Sequence, residues 1–210
     1  MALDYVRDPA EIYRRSFAEI GTVDALQTLA PPMRAVATRI VHACGMTDIV
    51  DDLRFSMGAV DAGQAALQAG APVFCDVEMV RAGIIARNLP AGCAVTCCVG
   101  TPEVADLAQR IGNTRSAAQI DFWGERLDGA ILVIGNAPTV LFRLLETVDE
   151  GGARPALVIA FPVGFVGAAE SKAELVGNPR GLDYITLLGR RGGSAMASAA
   201  MNAVAAGLAT

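Results

Sequence analysis

Residues 130–161 read AILVIGNAPTVLFRLLETVDEGGARPALVIAF, and the order of residue types in this stretch decides the fold. Ala130–Gly135 and Ala156–Phe161 are short apolar runs rich in branched side chains. Between them Pro138–Val148 carries apolar residues at helical spacing, so the stretch is one strand, one helix and one further strand. Strands that are apolar at every position are buried on both faces, which requires a parallel sheet covered by helices. Outward from this unit, Pro72–Asp76, Ala94–Val99 and Tyr184–Leu188 are further β-rich runs, and Pro102–Ile111, Thr114–Leu127 and Ser194–Ala206 carry helical patterns. The expectation is one α/β domain over residues 1–210, with a mostly parallel sheet of about five strands flanked by helices. Right-handed crossovers would align the loops after the strands along one edge. An N-terminal helical extension precedes the sheet. Its first helix starts at Asp8-Pro9-Ala10-Glu11, with Asp8 as cap and Glu11 at capping-box spacing, and carries Ile12, Tyr13, Ser16, Phe17 and Ile20. A second runs from Pro31-Pro32 through Met33, Val36, Ile40 and Val41 to a left-handed stop at Gly45, which puts His42 in its last turn.

Composition narrows the function. The chain is 53% hydrophobic and 19% charged, with 38 alanines and 22 glycines, so it buries a large, closely packed core and is not disordered. A formal charge of −5 argues against nucleic-acid binding, which needs a concentrated basic surface. The most apolar stretch, Ala156–Ala169, is broken by Pro162, Gly164 and Gly167 and is shorter than the roughly twenty residues of a membrane span. The N-terminal MALDYVRDPAE does not read as a secretory signal, so a cytoplasmic location is expected. Five cysteines (44, 75, 93, 97 and 98) form no C-x-x-C pair, and one histidine cannot supply a typical Cys/His zinc site. They are expected to be reduced and mostly buried, and no metal site is expected. Sixteen of the seventeen basic residues are arginine, leaving Lys172 and His42 as the single lysine and histidine.

Three successive strand ends carry loops suited to an anion. Gly135-Asn136-Ala137-Pro138-Thr139 turns into a helix; Pro162–Lys172 (PVGFVGAAESK) is a long flexible loop delivering the lysine; Gly189-Arg190-Arg191-Gly192-Gly193-Ser194 sets two arginines among glycine amides. Each can equally be a tight turn with solvated side chains, and Arg115, at the start of a helix capped by Thr114, either reaches an anion or stays at the surface. The dinucleotide G-x-G-x-x-G and the P-loop pattern are both absent, which counts against a nucleotide-binding enzyme. His42 is either a structural histidine or a proton donor, since the carbonyl end of its helix favours the imidazolium form.

Taken together, Tyr13-Arg14-Arg15-Ser16-Phe17, Val41-His42-Ala43-Cys44-Gly45-Met46 and the three strand-end loops resemble the precorrin-8X methylmutases of cobalamin biosynthesis, in order along nearly the whole chain. The resemblance implies a cytoplasmic α/β homodimer. It would move a methyl group between neighbouring carbons of ring C, converting precorrin-8x to hydrogenobyrinate and holding the product tightly for hand-over to the next enzyme. It places the catalytic histidine at His42, as proton donor and acceptor in a [1,5]-sigmatropic shift that needs no metal or redox cofactor, and a substrate-contacting serine at Ser16. Arg15, Arg115, Asn136, Lys172 and Arg191 are the expected rim for the substrate's carboxylates. A cobalt-precorrin-8 methylmutase of the anaerobic route and a corrinoid carrier without catalysis are the alternatives.

Overall fold

The computed structural model describes residues 3–208. Six strands form one sheet: β1 (Leu53–Phe55), β2 (Val73–Cys75), β3 (Val95–Thr96), β4 (Ile131–Ile134), β5 (Leu157–Ala160) and β6 (Tyr184–Leu187), in the order β1-β6-β5-β4-β2-β3. All neighbours are parallel except β1, which pairs antiparallel with β6 through Leu53 opposite Leu187 and Phe55 opposite Ile185. The five expected strands are present, shorter than their apolar runs, and β1 is an additional edge strand. The strand order reverses between β2 and β4, which makes the gap between their C-terminal ends the topological switch point.

Side chains alternate along the central strands and divide the core in two. Val73, Cys75, Ile131, Val133, Leu157 and Ile159 face one helical layer; Phe74, Leu132, Ile134, Val158 and Ala160 face the other. The first layer holds α1 (Pro9–Ile20), α2 (Asp24–Gln27), α3 (Pro31–Cys44), α4 (Ala59–Gln68), α5 (Glu78–Gly83) and α10 (Ser194–Ala206). The second holds α7 (Arg115–Trp123), α8 (Pro138–Asp149) and α9 (Ala168–Gly177), with α6 (Pro102–Ile111) packed on α7.

Local chemistry sets the helix ends. Thr101 caps α6 by accepting from the Val104 amide, Pro102 occupies a position that needs no amide proton, and Gly112 closes the helix in the left-handed region. Thr114 caps α7 through the Ala117 amide. Asp8 caps α1 through the Ala10 amide, but Glu11 does not complete a capping box. Arg14 and Arg15 take its carboxylate at 2.6 Å each, because they lie one turn further along the same helix. Gly45, at φ 69°, ends α3 and returns its amide to the Val41 carbonyl. α10 is alanine-rich, so its backbone packs closely along α3 as well as under α5 and over the sheet. The stretch 162–172 is not one long loop: Gly167 adopts φ 80°, and α9 begins at Ala168.

Candidate active site

α1 crosses the last turn of α3, and this crossing brings Ser16 onto His42. The Ser16 hydroxyl lies 2.8 Å from His42 Nδ1. Phe17 stacks on the imidazole with centroids 5.0 Å apart, and Tyr13 approaches it at 5.3 Å. Tyr13, Ser16 and Phe17 share one face of α1 because they sit three and four residues apart, so one helical face supplies both the polar partner and the aromatic walls. The hydrogen bond at Nδ1 leaves Nε2 as the ring nitrogen free for a ligand. In the imidazolium, Nδ1–H donates to Ser16 Oγ; in the neutral ring the hydroxyl can donate to Nδ1 or accept from it, so the contact orients the imidazole in either tautomer.

His42 stands on the wall of a cavity of about 440 Å³ between α3 and α10. Ala43, Ala195 and Ala199 give it a low apolar floor, Met79, Gly83, Ile85 and Asn88 form the opposite wall, and Ser194, Ser198 and Asn202 are its hydroxyl and amide groups. Asn202 is already engaged: its Oδ1 accepts from the Ile85 amide at 2.8 Å and its Nδ2 donates to the Gly83 carbonyl at 2.9 Å, pinning the wall to α10. Arg39, one turn before His42 on α3, is the cavity's cation. A second cavity of about 510 Å³ lies further along the same two helices, lined by Phe17, Pro31, Arg34, Arg39, Ala203 and Ala206. Arg39 borders both.

The three strand-end loops come together, but largely through bonds to one another. The Val163 amide donates to the Asn136 carbonyl and the Gly164 amide to the Arg190 carbonyl, while the Gly193 amide donates to the Phe161 carbonyl. The amides of Gly135, Asn136 and Ala137 do hold an anion, and it is the chain's own Asp76 carboxylate, 2.9 Å from each. Burial pushes the Asp76 carboxyl up, and these amides pull it down. Gln119, also fully buried, donates to the Asp76 carbonyl and accepts from the Cys98 amide, so the switch point is filled by protein. Gly135 has no room for a side chain: a Cβ would lie 2.7 Å from Ser194 Cα. The Asp76-held turn therefore abuts the start of α10, where Ser194 lines the His42 cavity.

Of the residues expected at the site, the structure joins His42 and Ser16 and spreads the others. Arg15 is exposed on α1 and paired with Glu11. Lys172 lies in α9 rather than in a loop; it is fully buried, and its Nζ donates to the Arg191 carbonyl at 2.6 Å. The Arg191 guanidinium is bound by Asp48 at 2.6 Å and Asp52 at 2.8 Å, which ties the loop before α10 to the segment after α3. Asn136 and Arg115 are exposed, and a 2.8 Å contact between the Thr114 and Thr139 hydroxyls joins their loops. None of these five lines the cavity beside His42. Sequence reading missed Arg39 and Asp76. Arg39 lies three residues before His42 and so on its helical face; Asp76 is an acidic residue closing an apolar strand, a place where a carboxylate needs donors.

Among known proteins, the precorrin-8X methylmutase family model matches residues 11–206. The precorrin-8X methylmutase of Pseudomonas aeruginosa is 53% identical over 203 residues, covering 97% of this chain and 98% of that protein. The cobalt-precorrin-8 methylmutase of Salmonella typhimurium is 36% identical, covering 96% and 97%. The crystal structure of precorrin-8x methyl mutase from Thermus thermophilus superposes with a TM-score of 0.79 at 36% identity, over 92% of this chain and 95% of that one. In sequence along nearly its whole length and in fold, the chain belongs to the precorrin-8X methylmutase family, isomerases of cobalamin biosynthesis.

Proposed function

We propose that the chain converts precorrin-8x to hydrogenobyrinate, with His42 as the proton donor and acceptor. The observation that carries this is the Ser16 hydrogen bond at Nδ1, which leaves Nε2 of a histidine on the wall of an apolar cavity. His42 lends the Nε2 proton to the macrocycle at or beside the ring C nitrogen, drawing electron density from the conjugated system. The bond from the migrating methyl to one ring C carbon breaks as its bond to the neighbouring carbon forms. The proton then returns to Nε2, so substrate and product are isomers and no electron is gained or lost. Ser16 keeps the imidazole oriented through both transfers, and the alanine floor accepts a flat ring.

The substrate of this chain is the metal-free ring rather than the cobalt form, a reading favoured by 53% identity to the Pseudomonas precorrin-8X enzyme against 36% to the Salmonella cobalt-precorrin-8 enzyme. The working unit is a homodimer with its macrocycle near the subunit interface. The apolar groups left outward support this: Met79 on the cavity wall is 73% exposed, and Phe165 and Val166 are 85% and 88% exposed. Asn136, Lys172, Arg191, Arg115 and Arg15 act on substrate through such an assembly or through the loops they hold. The five free cysteines fit a reducing cytoplasm, where tight product binding serves hand-over to the next enzyme.

Incubating His42→Ala with precorrin-8x and following the absorbance change tests the reaction. Turnover is expected to fall at least a hundredfold while coloured product still binds. Normal turnover would remove His42 from the mechanism, and a wild-type protein that binds without converting would be a carrier.

A further inference from the structure

We propose that Arg39 is the carboxylate anchor of this site: it grips a peripheral carboxylate of the macrocycle through the two-pronged edge of its guanidinium and thereby sets how the ring meets His42. The inference rests on the reaction assigned above and adds to it a residue that selects the substrate. Arg39 is the one lining residue of the His42 cavity, among the described residues, with a permanent charge. Of the other arginines nearby, Arg87 is exposed and lines neither cavity, and the rest are committed. Arg14 and Arg15 share Glu11, Arg81 holds Glu78, and Arg191 is held by Asp48 and Asp52. Arg34, in the neighbouring cavity, donates to the carbonyls of Gln27 and Leu29. Among the described residues no carboxylate lies within ion-pair distance of Arg39, and its guanidinium has no hydrogen-bond acceptor.

Its posture is that of a group held ready. The guanidinium lies over the Phe17 ring, 5.5 Å from the centroid, and Phe17 in turn stacks on the His42 imidazole. A cation–π contact takes none of the guanidinium's N–H donors, which stay free for bidentate recognition of a carboxylate. A half-buried cation beside apolar walls has lost part of its hydration, so a carboxylate arriving there restores it. Position also matters. α3 and α10 run antiparallel, since Ala43 meets Ser194 and Ala195 at one cavity while Pro31 meets Ala206 at the other. Arg39 sits where the two cavities adjoin, so a macrocycle laid along this seam passes it whichever way its substituents point. A ligand bearing an amide where the carboxylate belongs would offer one acceptor oxygen and set its NH2 against the other prong of the guanidinium.

The test is an absorbance titration of hydrogenobyrinate, and separately of its fully amidated derivative, into wild type, Arg39→Met and Arg39→Lys. Methionine keeps much of the stem packed on Phe17 and removes the fork; lysine keeps the charge without it. Wild type should bind the carboxylate form at least tenfold more tightly than the amide. Arg39→Met should lose at least tenfold toward hydrogenobyrinate and discriminate less between the two forms by a similar factor, with Arg39→Lys between. In turnover the loss of kcat/KM should fall mainly on KM. Binding of hydrogenobyrinate by Arg39→Met within twofold of wild type, or an equal loss for both forms, would overturn the assignment. Because the titration needs no turnover, it stands apart from the His42→Ala result: failure there removes the proposed chemistry and leaves the Arg39 outcome readable.

Discussion

Replacing Asp76 by alanine strips three buried backbone amides of their acceptor at once. Its Oδ1 takes the Gly135 amide and its Oδ2 those of Asn136 and Ala137, all at 2.9 Å, and the side chain is fully buried. A hydrogen bond to a charged group contributes about 1.5–3 kcal/mol net, and the desolvation of the carboxylate offsets part of that. Using the low end, Asp76→Ala should cost about 4–5 kcal/mol, a large share of the ~5–15 kcal/mol that holds a domain folded. Asp76→Asn has the same shape but a single acceptor oxygen. It can keep two amides and must turn its own N–H toward the third, so about 2–3 kcal/mol is expected. Urea unfolding measures both, and the asparagine variant should lower Tm by roughly 5–10 °C. If both variants lose less than about 1 kcal/mol, the carboxylate does not hold the β4–α8 turn, and the account of the switch point fails.

Two further outcomes follow from contacts already described. Ser16→Ala removes the partner of His42 Nδ1 and should slow turnover about tenfold, the value of one modest hydrogen bond, with partial recovery in Ser16→Thr; unchanged rates would show that Ser16 does not orient the ring. Lys172 is buried, and burial lowers its ammonium from 10.5 to about 8, with Asp52 pulling it back up. The folded chain thus binds fewer protons than the unfolded chain between about pH 8 and 10.5. Its stability relative to Lys172→Met should climb across that window, by up to about 3 kcal/mol, and stay level below it. A flat difference from about pH 7 to about pH 10 would mean that Lys172 does not titrate there.

The central strands were legible because a parallel strand covered on both faces must be apolar throughout, as in Ile131–Ile134 and Leu157–Ala160. β1 was not, since Leu53-Arg54-Phe55 is three residues at a sheet edge, with a charge in the middle and no turn signal around it. Ala168–Gly177 is hidden behind the glycines that precede it, so the sequence reads as a loop as far as Lys172, whereas the fold buries that lysine in a helix. Donor-rich turns could be read locally; their occupant could not. Asp76 reaches the Gly135–Ala137 amides across about sixty residues of chain, and Arg191 meets Asp48 and Asp52 across still more. His42 could be singled out because it is the lone histidine; the resemblance marks Ser16 only as a substrate contact, and its bond to His42 is visible only once α1 crosses α3. Arg39 carried no such mark among sixteen arginines, and only the packing of α1 against α3 reveals that it has no partner.

The filled crevice between β2 and β4 has a consequence for how such a protein can change. In many open α/β sheets the strand-end loops are the ligand site, so new specificities arise by swapping loops while the scaffold stays put. With Asp76 and Gln119 occupying that place, the loops become internal ties, and under the proposed function recognition moves to the seam between α3 and α10. Ligand choice is then written in the outward residues of α3 and α10, one or two at a time, and a directed-evolution library confined to those faces would explore substrates without disturbing the sheet that carries them.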